Sequence, residues 1–325
     1  MIWARVRTVL IAVLALSIAS SASAQGPTTW RLEEDNGNLA VWVPSHRRTD
    51  DNYTQGLRLH LTTDHVFGFL SRVTHTLLDP GGDNSDLAPT AGHYEIGQEI
   101  YTPPFRKSGP LPTDRPYAGW LYGRAAADLL SDRRYQSLGL DVGVIGPPSL
   151  AGPIQNGYHA ITGTGPQEPG WAHQLQFEPG LVARYEDAFL LGDWSINGRR
   201  FFTLIPHGDL LAGNIHAGAD IGVTAHIGYD LSHPWSLSQS RGPVELYITA
   251  GVLGSYVLRN IFLDGSTFRP SPHVHTLALT SSNMVGFGAR IARISIEARA
   301  TTQAREYVGG PDARRIGTIA AGLAW

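Results

Sequence analysis

The stretch YTQGLRLHLTT, residues 53–63, sets Leu57, Leu59 and Leu61 on one face of an extended chain and Thr54, Gly56, Arg58 and His60 on the other. A period of two marks a half-buried strand, because successive side chains of a strand point to opposite sides. The same alternation returns in GHYEIGQEIY (92–101), where Tyr94, Ile96 and Ile100 oppose His93, Glu95, Gly97 and Glu99. In LGLDVGVIG (138–146) Leu138, Leu140, Val142 and Val144 oppose Gly139, Asp141 and Gly143. Residues 212–231, 242–258 and 292–304 continue the pattern.

Two kinds of closed sheet give such strands. A soluble barrel turns its apolar face inward, whereas an outer-membrane barrel turns it outward to lipid and keeps a polar, glycine-rich or charged interior. Charges recur here on the face opposite clean leucine, isoleucine and valine rows, which favours the membrane barrel over a secreted sandwich. Tyr53, Tyr101, Tyr117, Trp120 and Tyr122 gather near strand ends, where an interfacial aromatic girdle is expected. The final residues, RIGTIAAGLAW (315–325), alternate and finish on Trp325, resembling the terminal strand that the barrel insertion machinery reads. The expected fold is all-β, an antiparallel transmembrane barrel of about 12 strands, each needing about 9–11 residues. Segments 79–91, 103–116, 146–170 and 263–275 are rich in Pro, Gly and Asp and read as its long loops.

Composition agrees with this route. Arg5 and Arg7, the apolar run VLIAVLALSIA (9–19) and Ala22-Ser23-Ala24 form a secretory signal pattern, so residues 1–24 are expected to be removed and 25–325 to form one barrel domain. After residue 24 no apolar run reaches the length of a spanning helix. Cysteine is absent, which removes disulfide and thiolate chemistry. The formal charge is −3 and no basic block suggests nucleic acid.

Common catalytic signatures are missing: no G-x-S-x-G, H-E-x-x-H, P-loop or G-x-G-x-x-G occurs. The spacing of HVH (273–275) suits a metal, but its Pro-flanked setting reads as a surface loop. In GPIQNGYHAITGTG (152–165) residues 153–162 are predicted to form about two helical turns between Pro153 and Gly163, with Gln155 and His159 on one face at i and i+4.

The order of the polar segments is more specific. EEDNGN (33–38), TDDNYTQGL (49–57), IGQEIYTPP (96–104), DRPYAGWLY (114–122), the 138–163 segment, EPGWAHQLQFEPGL (168–181) and AGN (212–214) follow one another along the chain. Across about residues 30–230 this succession resembles the outer-membrane lipid A 3′-O-deacylase family. The resemblance implies a 12-stranded monomeric barrel with a calcium-dependent esterase site near its outer end. Its substrate would be lipid A of the lipopolysaccharide, from which the 3′-linked acyloxyacyl group is removed. As in secreted phospholipases, a histidine would activate water and calcium would stabilise the oxyanion.

Carried onto this chain, the resemblance makes His159 the catalytic histidine, Asp35 the acidic calcium ligand, Thr54 the essential hydroxyl and Lys107 the loop lysine. The family has Asn before that Asp where this chain has Glu34, so either Glu34 supplies the second oxygen ligand or Asn36 does by a one-residue shift. Such residue types suit the chemistry: calcium takes six to eight hard oxygen ligands, and a neutral imidazole near pH 7 can take a proton from water. The competing readings are a barrel that hydrolyses phospholipid and a barrel that transports or serves structure without catalysis.

Overall fold

The computed structural model describes residues 28–39, 52–78, 90–103, 114–162, 167–235 and 242–325. Thirteen antiparallel strands form one sheet: β1 (Thr28–Asn36), β2 (Asn52–Thr63), β3 (Thr90–Thr102), β4 (Ala118–Leu130), β5 (Arg134–Ile145), β6 (Glu178–Phe189), β7 (Gly192–Ile196), β8 (Arg199–Gly213), β9 (His216–Tyr229), β10 (Val244–Asn260), β11 (Leu279–Ile291), β12 (Ile294–Ala304) and β13 (Ala313–Ala324). Each neighbours the next in sequence except at two places. β1 pairs with β13, and β6 pairs with β8, whose first half pairs with β7. β6 and β7 therefore act as one broken stave, and the sheet closes as a 12-stranded barrel. Closure leaves no edge, so every spanning backbone group finds a partner in a medium without water.

The outward face is apolar. Leu57, Ile96, Val142, Leu181, Ile221, Ile248 and Phe287 are exposed on different staves. In water this would be a large aggregation surface; against lipid tails it is the required band. No described helix is long and apolar enough to cross a membrane. At the end of the barrel bearing the start of β1, β4 joins β5 and β11 joins β12 by two or three residues. At the other end β5 joins β6 through 146–177 and β10 joins β11 through 261–278, so that end is extracellular by the loop asymmetry of such barrels. Helix α1 (Gly68–Leu78), between β2 and β3 at the short-loop end, was not foreseen.

The interior is held by charge pairs rather than by a hydrocarbon core. Glu33 accepts from Arg31 at 3.0 Å, Arg58 at 3.1 Å and Arg299 at 2.6 Å. Asp141 binds Arg124 at 2.6 Å and Arg184 at 2.7 Å, and Glu245 binds Arg290 at 3.2 Å. A buried charge is costly unless paired, which explains why these residues alternate in register across neighbouring strands.

Above this layer the lumen is plugged. Helix α3 (Ile261–Asp264) drops Ile261 and Phe262 into the extracellular mouth, both fully buried, with Phe262 stacked on Tyr101 at 3.9 Å between ring centres. Tyr53, Trp120 and Tyr122 join the same cluster. This corrects the girdle expectation: Tyr53, Tyr101 and Tyr122 share the inward face with the charges and carry hydroxyls bonded to Asp35, Glu99 and Glu95. Position near a strand end does not separate lipid-facing from inward aromatics; parity within the strand does. Tyr117 is also buried, but beneath an outer helix described below.

A buried arginine ties the rim together. Arg115 donates to the Asn52 carbonyl at 2.9 Å and to Glu306 at 3.1 Å, and Arg314 meets the same carboxylate at 2.8 Å. Tyr307 donates to Asp114 at 2.8 Å. Asp114 and Arg115 thus form a latch between the start of β4 and the β12–β13 loop. Asn214 is structural, accepting from the Leu181 backbone at 2.9 Å and donating to Glu178 at 3.1 Å.

Candidate active site on the outer face of the rim

After β5 the chain turns at Gly146, whose φ of 85° and whose contact with the Leu175–Gln176 backbone leave no room for a Cβ. Pro147–Ser149 form a single 3-10 turn, and helix α2 (Ala151–Thr162) follows, in agreement with the helix predicted over 153–162. The helix lies against the outside of β3 and β4. Gln98 of β3 donates to the Ser149 carbonyl at 2.6 Å, and Ile100, Tyr117, Ala151 and Trp171 form one buried cluster. Gly119 on β4 permits this approach, since a Cβ there would lie 2.2 Å from that of Ala151.

A second 3-10 segment, Pro169–His173, clamps the helix from above. Trp171 packs edge-on against Tyr117 at 5.3 Å and donates its Nε1–H to Gln155 at 2.8 Å. Asn156 accepts from the Glu168 backbone at 2.7 Å, and Glu168 accepts from Tyr117 at 3.2 Å. His159, one turn beyond Gln155, is 2% exposed. The imidazole therefore sits on a braced helix between the barrel wall and the extracellular loops. Gln155 holds the helix to the clamp through Trp171.

Thr54 reaches the same face by an irregularity that alternation concealed. β2 and β3 pair Tyr53 with Tyr101 and Gln55 with Ile100, leaving Thr54 as an extra residue in a β-bulge. Strict alternation puts Thr54 with Arg58 and His60 in the interior. The bulge instead brings its hydroxyl 2.6 Å from that of Thr102, which lies on the outward face with Ile100 and Gln98. Bulges commonly re-aim a side chain in this way beside functional sites.

Glu34 and Asp35 part company for the same reason of parity. Glu34 is in register with Leu57 and Ile319 on the outward side and is largely buried. Asp35 points into the lumen, where it accepts from Thr318 at 2.7 Å, from Tyr53 at 3.1 Å and from Arg58. Thr54 and Glu34 thus lie on the outward side of the rim, the side on which the helix of His159 packs, while Asp35 lies on the opposite face. Asn36 accepts from the Asn38 backbone at 2.7 Å. Lys107, like residues 1–24, lies outside the described residues. His273 is exposed in its loop, as expected for HVH.

Sequence reasoning missed Thr102, Trp171 and the Asn156–Glu168 pairing. Thr102 becomes visible only through the bulged register, and Trp171 carried a signal only as part of EPGWAH.

With this geometry in view, the comparisons with known proteins are decisive. The family model described as Outer membrane protein LpxR matches residues 8–325. The chain belongs to that family. LpxR from Salmonella typhimurium superimposes with a TM-score of 0.73 at 19% identity, covering 91% of this chain and 99% of that one. The overlap establishes the shared fold. An outer-membrane channel from Pseudomonas putida F1 matches more loosely, with a TM-score of 0.39 and 9% identity over 94% of this chain and 97% of that one. No curated protein sequence matches significantly. The chain is an outer-membrane barrel of the lipid A-modifying LpxR family, the family that its ordered motifs resemble.

Proposed function

We propose that this chain is a calcium-dependent esterase that removes the 3′-linked acyloxyacyl chain from lipid A in the outer leaflet, with His159 as general base. The observation that carries this reading is a buried histidine on a braced helix against the outward side of the wall, at the extracellular rim. A substrate arriving there comes laterally from the membrane, with its sugar at headgroup level and its acyl chains along the apolar band. A route through the barrel is disfavoured by the aromatic plug and the paired charges of the described lumen.

The donors on the outward face suit a hard cation. The Glu34 carboxylate and the Thr54 and Thr102 hydroxyls are all oxygens, the ligand type that calcium takes. Asp35 does not fit as a direct side-chain ligand there, because its carboxylate is turned inward onto Arg58, Tyr53 and Thr318. We assign it to fixing β1, so that Glu34 carries the metal role. Calcium bound there supplies Lewis-acid polarisation of the ester carbonyl. The His159 imidazole takes a proton from water and returns it to the departing sugar hydroxyl, a contribution of about 10²–10⁴ in rate for general-base catalysis. Thr54 and Thr102 orient the ester, and Lys107 serves as a lipid A phosphate contact from the β3–β4 connection.

Mass spectrometry of lipid A incubated with the refolded barrel, with calcium or with EGTA, tests the reading. The expected result is calcium-dependent loss of one acyloxyacyl unit, abolished in His159→Ala with the barrel still folded. Cleavage of phospholipid instead, or intact esters beside ion conduction in planar bilayers, would overturn it.

A further inference from the structure

We propose that the lumen carries a second cation site, for a divalent transition metal such as Zn²⁺, built by His60, His93 and Glu95. One donor atom from each of these residues lies within 4.8 Å of the other two. Glu95 Oε2 is 3.1 Å from His60 Nδ1 and 3.9 Å from His93 Nε2. Ligand bonds of about 2.0–2.2 Å in a tetrahedral shell place donors about 3.3 Å apart, so these two separations bracket the required one. The His60 and His93 donors, which lie within 4.8 Å of each other, close by at most about 1.5 Å to share the same shell.

The site is set by register. His60 on β2 lies directly across from Glu95 on β3, and His93 lies across from Thr62. All are on the inward face, on the other side of the wall from α2, so this site is separate from the esterase site. The outer partners resemble those of built metal centres, where ligands are oriented by a further hydrogen bond. His93 Nδ1 is 3.3 Å from the Thr62 hydroxyl, and Glu95 Oε1 accepts from Tyr122. His60 Nε2 is buried with no hydrogen-bond partner among the described residues, so no second contact fixes its tautomer. A metal at Nδ1 requires the neutral imidazole to carry its one proton on Nε2, and any further proton held between Nδ1 and Glu95 is released to solvent on binding.

Arg124 also approaches Glu95 Oε2, at 3.2 Å. Its guanidinium makes two bonds to Asp141, which Arg184 shares, so Arg124 is a cationic neighbour held to one side that yields Glu95 Oε2 when the metal binds. Access comes from the periplasmic end, where His93 and Thr62 line a cavity of about 680 Å³ that supplies room for a water as fourth ligand. Two imidazoles and one carboxylate suit borderline transition ions and not calcium.

The test is metal binding to the refolded, detergent-solubilised full barrel, using Zn²⁺ by equilibrium dialysis and Co²⁺ by visible absorption. We expect one ion per chain and the absorption bands of four-coordinate Co²⁺ with nitrogen ligands. His60→Gln and His93→Gln should each lower affinity by more than about 100-fold, beyond the 10–100-fold cost of losing an outer partner, and Thr62→Val should fall within that range. His207→Gln and His226→Gln, which alter other lumen histidines, should leave binding unchanged. Lipid A cleavage should be unaltered in all these variants. No stoichiometric ion in the wild type, or binding equal in the wild type and in a heat-modifiable His60→Gln/His93→Gln barrel, would overturn the proposal.

Discussion

The sharpest consequence of parity in β1 is that two adjacent carboxylates should fail in different ways. Asp35→Asn removes the inward charge that meets Arg58 and weakens the bonds from Tyr53 and Thr318. Removing one partner of a buried pair costs about 3–5 kcal/mol. The low end applies here, because Arg58 retains Glu33 at 3.1 Å and Glu99 at 3.8 Å. With a denaturant slope of about 3 kcal/mol per molar urea, the unfolding midpoint should drop by about 1 M. Glu34→Gln breaks none of the lumen pairs above and keeps the side chain's size at its buried position, so it should lower the midpoint by less than Asp35→Asn does. It should instead reduce calcium-dependent deacylation by about 10²–10³, the scale of losing one oxyanion-stabilising interaction. The two assays are urea unfolding followed by gel mobility, and lipid A mass spectrometry at matched folded concentration. If Asp35→Asn unfolds like wild type yet loses activity, while Glu34→Gln retains it, the assignment of faces to roles is wrong.

Other outcomes follow from the same geometry. Trp171→Phe keeps an aromatic ring but deletes the indole donor to Gln155, leaving a buried acceptor at a cost of about 1–3 kcal/mol; activity should fall more than tenfold with an unchanged barrel midpoint, and an unchanged rate would remove the clamp from the account. Burial raises the Glu306 carboxyl, but Arg314 and Arg115 beside it hold it below its ordinary value near 4.5. Its contribution is therefore fully present above that value and is lost as pH falls through the lower, folded one; the urea midpoint should drop on acidification below about pH 4.5, less steeply in Glu306→Gln, and equal slopes would refute the latch. Phe262→Ala should cost about 3–5 kcal/mol by opening a cavity in the plug and should raise planar-bilayer conductance, whereas an unaltered current would place the seal elsewhere.

Much of the barrel was legible because one observation recurs: charges opposite aliphatic rows in strand after strand. Leu57, Ile96 and Val142 face outward as read, and Glu95, Glu99 and Asp141 face inward. Helix α2 was legible too, from its bounding Pro and Gly and the Gln155–His159 spacing. Thr54 was misplaced because a bulge adds one residue without a sequence mark, and a one-residue slip exchanges the faces. The aromatics were misread because tyrosine serves equally at a lipid interface and on a lumen carboxylate, and composition does not distinguish the two. Helix α1 was missed although Phe69, Leu70, Val73 and Leu77 carry a helical spacing. It is short and its buried face is slight, with Thr74 its one buried residue, so its pattern is faint beside the strands.

A wall one residue thick separates the side chains that hold the barrel from those left to its outer face. In β1 to β3 each strand alternates between a side chain that stabilises and one that faces the membrane. Asp35, Arg58 and Glu95 bind the staves together from within, while Glu34, the bulged Thr54 and Thr102 are left to the outer face. A change on the outward side therefore perturbs few of the interior pairs. The converse also holds: a substitution at Asp35 alters the position of Glu34 through the same backbone without touching substrate. A loss of activity at an inward residue therefore identifies a ligand only when the barrel's stability is measured beside it.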